Sequence, residues 1–366
     1  MSQALRIVIA GGGTGGHLYP GVAVARELIA RQAGTQVTFA GTTKGIEARV
    51  IPREGFELDT IRSGGLKGKS LMDSLRGAAL IPLGLLDAWG ILSRRQPHLV
   101  IGVGGYSSGP VVLAAALRGV PTLLLEQNAV PGLTNRLLAR VVRAAAVSYE
   151  STTTFFGSKA FVSGNPVRTE FLVRADAPGA GTSAHRADVQ VLVFGGSQGA
   201  HAINVAMVDA ASTLASSPVK LALTHQTGER DLDAVRSGYA KAGLPAEVEP
   251  FLFDMGRRLQ AADLVVCRAG ATTLAELAAA GKPAVLIPLP TATDDHQRKN
   301  AEEVARAGAA ELLLQADANG AALAARIEAL ARDEEARRRM GRAARALARP
   351  DAARVIVDRA LELVHA

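Results

Sequence analysis

The 366-residue chain predicts an α/β protein of two similar domains, each built on a parallel sheet with helices on both faces. Three observations predict it. Short apolar runs alternate with helical segments through both halves, the pattern of strand–helix–strand crossovers. A strand, a glycine turn and a helix open the chain at residues 6–33 and recur in that order at 189–214. Between the halves, G-N-P at 164–166 marks a break. Residues 174–188, rich in Ala, Gly and Ser and without an apolar period, read as a surface loop. The domains are expected at 1–164 and 165–350.

Composition narrows the function classes. The single cysteine, Cys267, permits no internal disulfide and points to a reducing compartment. Residues 1–10 lack the basic and apolar regions of a secretory signal. No uninterrupted apolar run reaches about 18 residues, so no membrane-spanning helix is expected. The most apolar segment, 78–92, is interrupted by Pro82, Gly84 and Asp87. A net charge of +7 suggests anionic partners: nucleotide phosphates, acidic lipid or nucleic acid. Aromatic residues are only 4% and form no stacking platform with basic ones, which argues against nucleic acid.

The first strand, 6–10, is a short apolar run that reads as buried on both faces. Gly11, Gly12, Gly13, Gly15 and Gly16 follow, then His17, and residues 21–33 have helical spacing. Missing side chains let backbone N–H groups of this turn, Gly15 and Gly16 among them, approach a bound group, and a helix start favours negative charge. Gly11, Gly13 and Gly16 match a dinucleotide pattern, but the strand at 36–40 ends in Gly41 and Thr42, without the ribose-binding acid expected about 20 residues on. No Lys-Ser/Thr ends the turn as in a P-loop. His17 reads either as an ionisable group with chemistry to do or as a plain helix-start histidine.

Further first-half strands are expected at 56–61, 99–102, 122–125, 144–147 and 159–162. Two of them lead into turns: G-V-G-G-Y-S-S-G at 102–109 and E-Q-N-A-V-P-G at 126–132. Asn128 stands at a strand's C-terminal edge, where open parallel sheets bind ligands, or is an ordinary turn residue. The second half restarts with a strand at 189–194, the turn G-G-S-Q-G-A at 195–200 and a helix at 203–214. Strands are expected at 219–224, 246–251, 264–267, 283–287 and 311–314, and a helical, Ala- and Arg-rich tail at 320–366. Pro350 marks the start of its last helix, 351–364.

Three second-half stretches carry candidate chemistry. Ser197 and Gln198 lie in a glycine turn at a helix start, suited to a phosphate. C-R-A-G-A-T-T-L-A-E, 267–276, is again a strand edge entering a helix. Glu276 falls about one and a half turns in, where a carboxylate accepts both hydroxyls of a ribose; the alternative is a solvated helix glutamate. In D-D-H-Q-R-K-N-A, 294–301, Gln297 and Asn300 suit sugar hydroxyls, and His296 reads as a polar contact rather than a base. Asp231 and Asp233 form a literal D-x-D but read as acids at a helix start, not as a metal site. No Cys/His spacing suits zinc, and no metal or cofactor is expected. The order of these signals is the layout of a transferase using a nucleotide-activated donor.

G-G-T-G-G-H at 12–17 with Pro20-Gly21, G-N-P-V-R at 164–168, F-G-G-S-Q-G-A at 194–200, C-R-A-G-A-T-T-L-A-E and the H-Q-x-x-N-A ending resemble, in order and over nearly the whole chain, a bacterial family. It is the glycosyltransferase family that converts lipid I to lipid II in peptidoglycan synthesis. The resemblance implies a GT-B fold, two Rossmann-like domains with parallel sheets facing a cleft, the final helix at 351–366 joining the first domain. It implies an inverting transfer of N-acetylglucosamine from UDP-N-acetylglucosamine to the muramyl sugar of lipid I (undecaprenyl-diphospho-muramoylpentapeptide), by a peripheral protein on the cytoplasmic membrane face. By motif position, Thr14, His17 and Asn128 would face the reacting sugars, with His17 the base. Arg168, Ser197 and Gln198 would hold the diphosphate. Leu252 would bond uracil through its backbone, Glu276 the ribose, and Ala271, Thr272, Thr273, His296 and Gln297 the phosphate and sugar hydroxyls. Some members carry Gln-Gln where this chain has His296-Gln297. The alternatives are a UDP-N-acetylglucosamine epimerase of similar fold and a non-catalytic UDP-sugar-binding subunit.

A lipid acceptor asks for a docking surface. Residues 66–86 combine Lys67, Lys69 and Arg76 with Leu71, Leu75, Leu80, Leu83 and Leu86, the composition of an anchor on an anionic membrane surface. The alternative is that these leucines pack on the sheet, Pro82 and Gly84 having broken the helical period.

Overall fold

The computed structural model describes residues 4–43, 45–64, 71–172, 188–196 and 198–365, with backbone alone for 71–79 and 169. The chain divides into two units, Met1–Val167 with Arg349–Ala366, and Arg168–Ala348.

In unit 1, strands β1 (Arg6–Gly11), β2 (Gln36–Gly41), β3 (Glu57–Thr60), β4 (Leu99–Gly104), β5 (Thr122–Glu126), β6 (Ala144–Val147) and β7 (Ala160–Val162) alternate with helices α1 (Gly15–Arg31), α2 (Glu47–Arg53), α3 (Leu71–Arg95), α4 (Ser108–Leu117), α5 (Leu133–Leu138) and α6 (Thr153–Phe156). The strands pair in the order β3-β2-β1-β4-β5-β6-β7, all parallel. Ile7 sits between Val37 and Leu99 across the sheet. The two-residue period sends Ile7, Ile9 and Ile101 to the face covered by α1, and Val8, Ala10 and Val100 to the face covered by α3 and α4. Burial on both faces is why these strands are continuous apolar runs rather than alternating ones.

Unit 2 repeats the plan with β8 (Val189–Phe194), β9 (Leu221–Gln226), β10 (Ala246–Glu249), β11 (Leu264–Cys267), β12 (Ala284–Leu286) and β13 (Ala310–Leu312). Its helices are α7 (His201–Ala215), α8 (Leu232–Ala242), α9 (Met255–Ala261), α10 (Ala271–Ala280), α11 (His296–Arg306), α12 (Gly320–Arg332) and α13 (Glu334–Leu347). The order is β10-β9-β8-β11-β12-β13, again all parallel. In each sheet the strand order reverses beside the first strand of the unit, between β1 and β4 and between β8 and β11.

The last helix, α14 (Ala352–His365), belongs to unit 1. Ile356, Val357, Ala360 and Leu363 enter the core shared by Val24, Ala25 and Leu28 of α1, and Asp358 pairs with Arg31.

Several boundaries differ from the sequence expectation. α1 starts at Gly15, six residues before Gly21, and carries Pro20 inside it. Thr14 is its extended N-cap residue, whose carbonyl accepts the Leu18 N–H. α3 runs unbroken through Pro82 and Gly84. Gly84 is buried because the Arg62 carbonyl passes where a Cβ would stand. β9 is displaced to Leu221–Gln226, ending on His225 and Gln226, two polar residues that are buried with partners. The tail divides into α12, α13 and α14.

Ile356 is fully buried on the α1 side of the sheet. Ile356→Ala should therefore destabilise unit 1 by about 2–5 kcal/mol, the usual range for such a truncation. Urea unfolding measures it, and a loss well under 1 kcal/mol would mean that α14 is not part of the core.

Candidate active site

Ligands of open parallel sheets bind where the strand order reverses, at the C-terminal edge. In unit 1 that edge carries two turns, residues 11–16 after β1 and Gly104 and Gly105 after β4. They lock backbone to backbone. The Gly12 N–H donates to the Gly104 carbonyl at 3.3 Å, and a Cβ on Gly105 would strike the Gly12 carbonyl. Gly104, at φ +95, lies against the ring of His17, whose Cδ2 would be 2.8 Å from a Cβ there. His17 is the third residue of α1, half-buried, and its Nδ1 shares a 3.2 Å hydrogen bond with the Thr14 hydroxyl. Gly15 and Gly16, also half-buried, are the first two residues of that helix.

Asn128 follows β5. Its backbone N–H and side-chain amide both donate to Glu126 Oε1, at 3.0 and 3.1 Å. Glu126 Oε2 accepts from Gly132 N and Asn135 Nδ2. The Glu126 carboxyl is 3% exposed. Burial pushes its pKa up against the pull of these donors. Glu126 and Asn135 thus hold the turn that presents Asn128; neither stood out in the sequence. Thr14, Gly15, Gly16 and His17 are gathered on one turn, and Asn128 stands on another at the same sheet edge.

In unit 2 the reversal point carries residues 195–200 after β8 and residues 268–276 after β11. A Cβ on Gly199 would overlap the Thr227 carbonyl, and one on Gly228 the Gln198 carbonyl, so these two turns also interlock. Gln198 is exposed; Ser197 lies outside the described residues. Ala271, Thr272 and Thr273 form the first turn of α10, each half-exposed, after the extended N-cap residue Gly270. Glu276, 8% exposed, is the sixth residue of that helix. Arg168 Nη2 meets Glu276 Oε1 at 3.1 Å, while Nη1 meets Glu170 at 3.0 Å and the guanidinium lies over the Phe171 ring. Gln297 Oε1 accepts the Ala269 and Leu289 N–H groups, joining the 268–270 segment to the end of β12. His296 precedes it at the start of α11, after Asp294 and Asp295, both at positive φ.

Three further residues fix these segments and were not singled out from sequence. Arg268, 9% exposed, donates to the Ile287 and Pro288 carbonyls and to Gln315. Gln226 donates to the Gly196 carbonyl and accepts the Leu252 N–H, both at 2.8 Å. The Leu252 N–H is therefore already engaged. Asn204 bonds Thr227, Asp231 and His225. Asp231, of the D-x-D, does not bond the helix N–H groups; it accepts from His201 and Asn204. Lys67 and Lys69 lie outside the described residues; Leu71 and Leu75 stand in the first turns of α3. Among the described residues no helix is long and apolar enough to cross a membrane.

Residues 7–147 match the glycosyltransferase family 28 N-terminal domain and residues 190–356 its C-terminal domain. A protein of Pelobacter propionicus is 46% identical, over 98% of this chain and 99% of its own length. One of Anaeromyxobacter dehalogenans is 46% identical, over 99% and 94%. Both are named UDP-N-acetylglucosamine–N-acetylmuramyl-(pentapeptide) pyrophosphoryl-undecaprenol N-acetylglucosamine transferase. The crystal structure of Acinetobacter baumannii MurG superposes with a TM-score of 0.80 at 32% identity, covering 97% of this chain and 99% of that one. A UDP-N-acetylglucosamine 2-epimerase shares the fold at a TM-score of 0.69 and 13% identity, covering 99% and 96%.

Burial raises the Glu276 carboxyl from 4.5 to about 7, Arg168 relieving it only in part. The folded protein holds this proton more tightly than the unfolded chain does. The stability so gained is complete below pH 4.5 and is lost as pH rises through about 7. Glu276→Gln imitates the protonated form and should remove that slope. Between about pH 5 and about pH 8 the parent should lose about 2–3 kcal/mol more than the variant, read from urea midpoints. Equal losses would place the shifted proton elsewhere.

Proposed function

The chain belongs to the UDP-N-acetylglucosamine–N-acetylmuramyl-(pentapeptide) pyrophosphoryl-undecaprenol N-acetylglucosamine transferases of glycosyltransferase family 28, and we infer from that premise how its two turn-bearing sheet edges divide the reaction. It is a UDP-N-acetylglucosamine-dependent glycosyltransferase, moving N-acetylglucosamine to the muramyl sugar of lipid I to give lipid II. The observation that carries this reading is identity of 46% over 98% of the chain with transferases of that name. The epimerase likeness, at 13% identity, is one of fold alone.

Unit 2 takes the donor in this reading. Glu276 accepts the ribose hydroxyls, and its bond to Arg168 keeps the buried carboxyl partly charged. Arg168, with the turn donors of Ser197 and Gln198 and the first turn of α10 at Ala271, Thr272 and Thr273, neutralises the diphosphate as it leaves. The Leu252 carbonyl accepts the uracil N3–H. Gln297, its Oε1 already used, offers its amide N–H groups to the sugar, beside His296. Unit 1 takes the acceptor, with Asn128 bonding a sugar hydroxyl. The acceptor hydroxyl oxygen forms the new bond to the anomeric carbon as the bond to the UDP oxygen breaks on the opposite face, and His17 Nε2 takes the hydroxyl proton. That role requires the other ring proton on Nδ1, where the Thr14 hydroxyl receives it.

Purified protein, labelled UDP-N-acetylglucosamine and lipid I should give labelled lipid, and none without lipid I. Label retained by the protein without transfer would instead indicate a binding subunit. His17→Ala should lower kcat by roughly 10²–10⁴-fold with donor affinity unchanged, the usual worth of a general base; near-normal kcat would remove His17 from the chemical step.

The acceptor's lipid tail supports a peripheral place at a membrane surface, on the cytoplasmic face in this reading. The described part of α3 supports a docking role. Leu83, Leu86 and Trp89 stand exposed along it, Leu86 at 67%, and Arg118 lies over the Trp89 ring at 5.0 Å. An apolar strip with basic neighbours suits an anionic interface. Leu86→Glu with Trp89→Glu should lower binding to acidic-lipid vesicles roughly tenfold or more, with turnover of a water-soluble acceptor analogue preserved. Unchanged vesicle binding would move the docking surface off α3.

A further inference from the structure

The Gly13 N–H, which the glycine pattern offers to a ligand, already has an anion. Glu47 Oε2 accepts it at 2.8 Å. Glu47 Oε1 accepts the Thr42 N–H at 2.9 Å and the Thr42 hydroxyl at 2.8 Å. The carboxylate is 1% exposed. Three separate positions lack side chains so as to admit it: a Cβ on Gly12, Gly41 or Gly45 would overlap Glu47. Burial pushes its pKa up, but the Gly13 and Thr42 donors outweigh that and hold it below the ordinary carboxylate value. It is therefore a charged fixture at neutral pH.

From this carboxylate a short path of contacts reaches His17. Gly13, at φ +85, is pinned by its N–H, and the next residue, Thr14, supplies the carbonyl that accepts His17 N and Leu18 N and so begins α1. Gly12, packed against Glu47, bonds the carbonyl of Gly104, the residue against which the His17 ring lies. Both sides of the His17 ring are thus referred back to one buried group, 34 residues from Gly13 in sequence.

We propose that Glu47 is a positioning residue for the transfer: its carboxylate is the built-in anion around which the 11–16 turn is moulded, and it sets where α1 holds His17. Its effect on kcat rests on the reading of the unit 1 turn as the seat of the acceptor chemistry.

Glu47→Gln keeps the size but replaces one acceptor oxygen with an NH2 that must face the Gly13 or Thr42 donors. It should lower kcat with lipid I by about 10²-fold, the scale of a sub-ångström to ångström displacement of a reacting group. Donor affinity, from titration with UDP-N-acetylglucosamine, should stay near the parent's; the misplaced NH2 lowers the unfolding midpoint, and the variant should still be fully folded at the assay temperature. Gly45→Ala leaves residue 47 intact and crowds its Oε2 from the other side. It should lower kcat likewise, and the double variant should be no worse than Glu47→Gln alone. Unchanged kcat in Glu47→Gln overturns the proposal. So does a loss that follows donor affinity or folded fraction, or additive losses in the double variant. His17→Ala is assayed beside them. Normal kcat there with depressed kcat in Glu47→Gln would strike only the assignment of the base, and normal kcat in Glu47→Gln with loss in His17→Ala would strike only Glu47.

Discussion

Every strand pair in both sheets is parallel, and that constraint governs what else the chain can do. Parallel strands return through crossovers, so all of them deliver their last residues to one edge. Where the strand order reverses, the crossovers depart to opposite faces and leave the turns uncovered. Both units fill that gap in the same way. Neighbouring turns meet through their backbones, 11–12 with 104–105 in unit 1 and 198–199 with 227–228 in unit 2, and a glycine stands at each meeting because a Cβ on Gly11, Gly105, Gly199 or Gly228 would overlap the partner's carbonyl. His17 and Gln198, to which the proposed function gives chemistry, stand beside these meetings.

Behind those turns stands a layer of buried polar groups. Burying such a group is costly unless its bonds are met, and here they are met by the turns themselves. Glu47 serves residues 12–13, Glu126 the 128–132 turn, Arg268 the carbonyls after β12, and Gln226 both the 195–200 turn and the Leu252 segment. His225 carries the same logic into the core. Burial lowers its pKa to about 3, so the ring stays neutral and spends its two nitrogens on Asn204 and Tyr239. Each of these groups converts a desolvation cost into a fixed backbone position.

This division explains what was legible in the sequence. The apolar period located β6, β8 and β11 to the residue: β6 and β11 are buried along their length without a polar interruption, and β8 has only the half-buried Gln190 near its start. It ended β5 and displaced β9 where polar residues complete the strand, since Glu126, His225 and Gln226 look like loop until their partners are known. The start of α1 was hidden by Gly15, Gly16 and Pro20, poor helix formers that tertiary packing overrides. The glycine turns themselves stood out, as did the helix start that bears Glu276. The groups that fix them did not. Gly13 and Glu47, or Arg268 and Gln315, meet across long stretches of chain, and before folding Glu47 is an ordinary first-turn glutamate of a short helix.

Unit 1 takes its last helix from the far end of the chain, and this inverts the order in which the two halves can finish folding. A polypeptide emerges from the ribosome N-terminus first, and domains usually complete in that order. Here the first seven strands are made early, but the face over β1 that Ile356, Val357, Ala360 and Leu363 cover has to wait. Unit 2, Arg168–Ala348, has its entire sequence translated before that helix is. During synthesis the nascent first half therefore presents an uncovered apolar face for as long as the second half takes to be made, and unit 1 closes only when α14 docks.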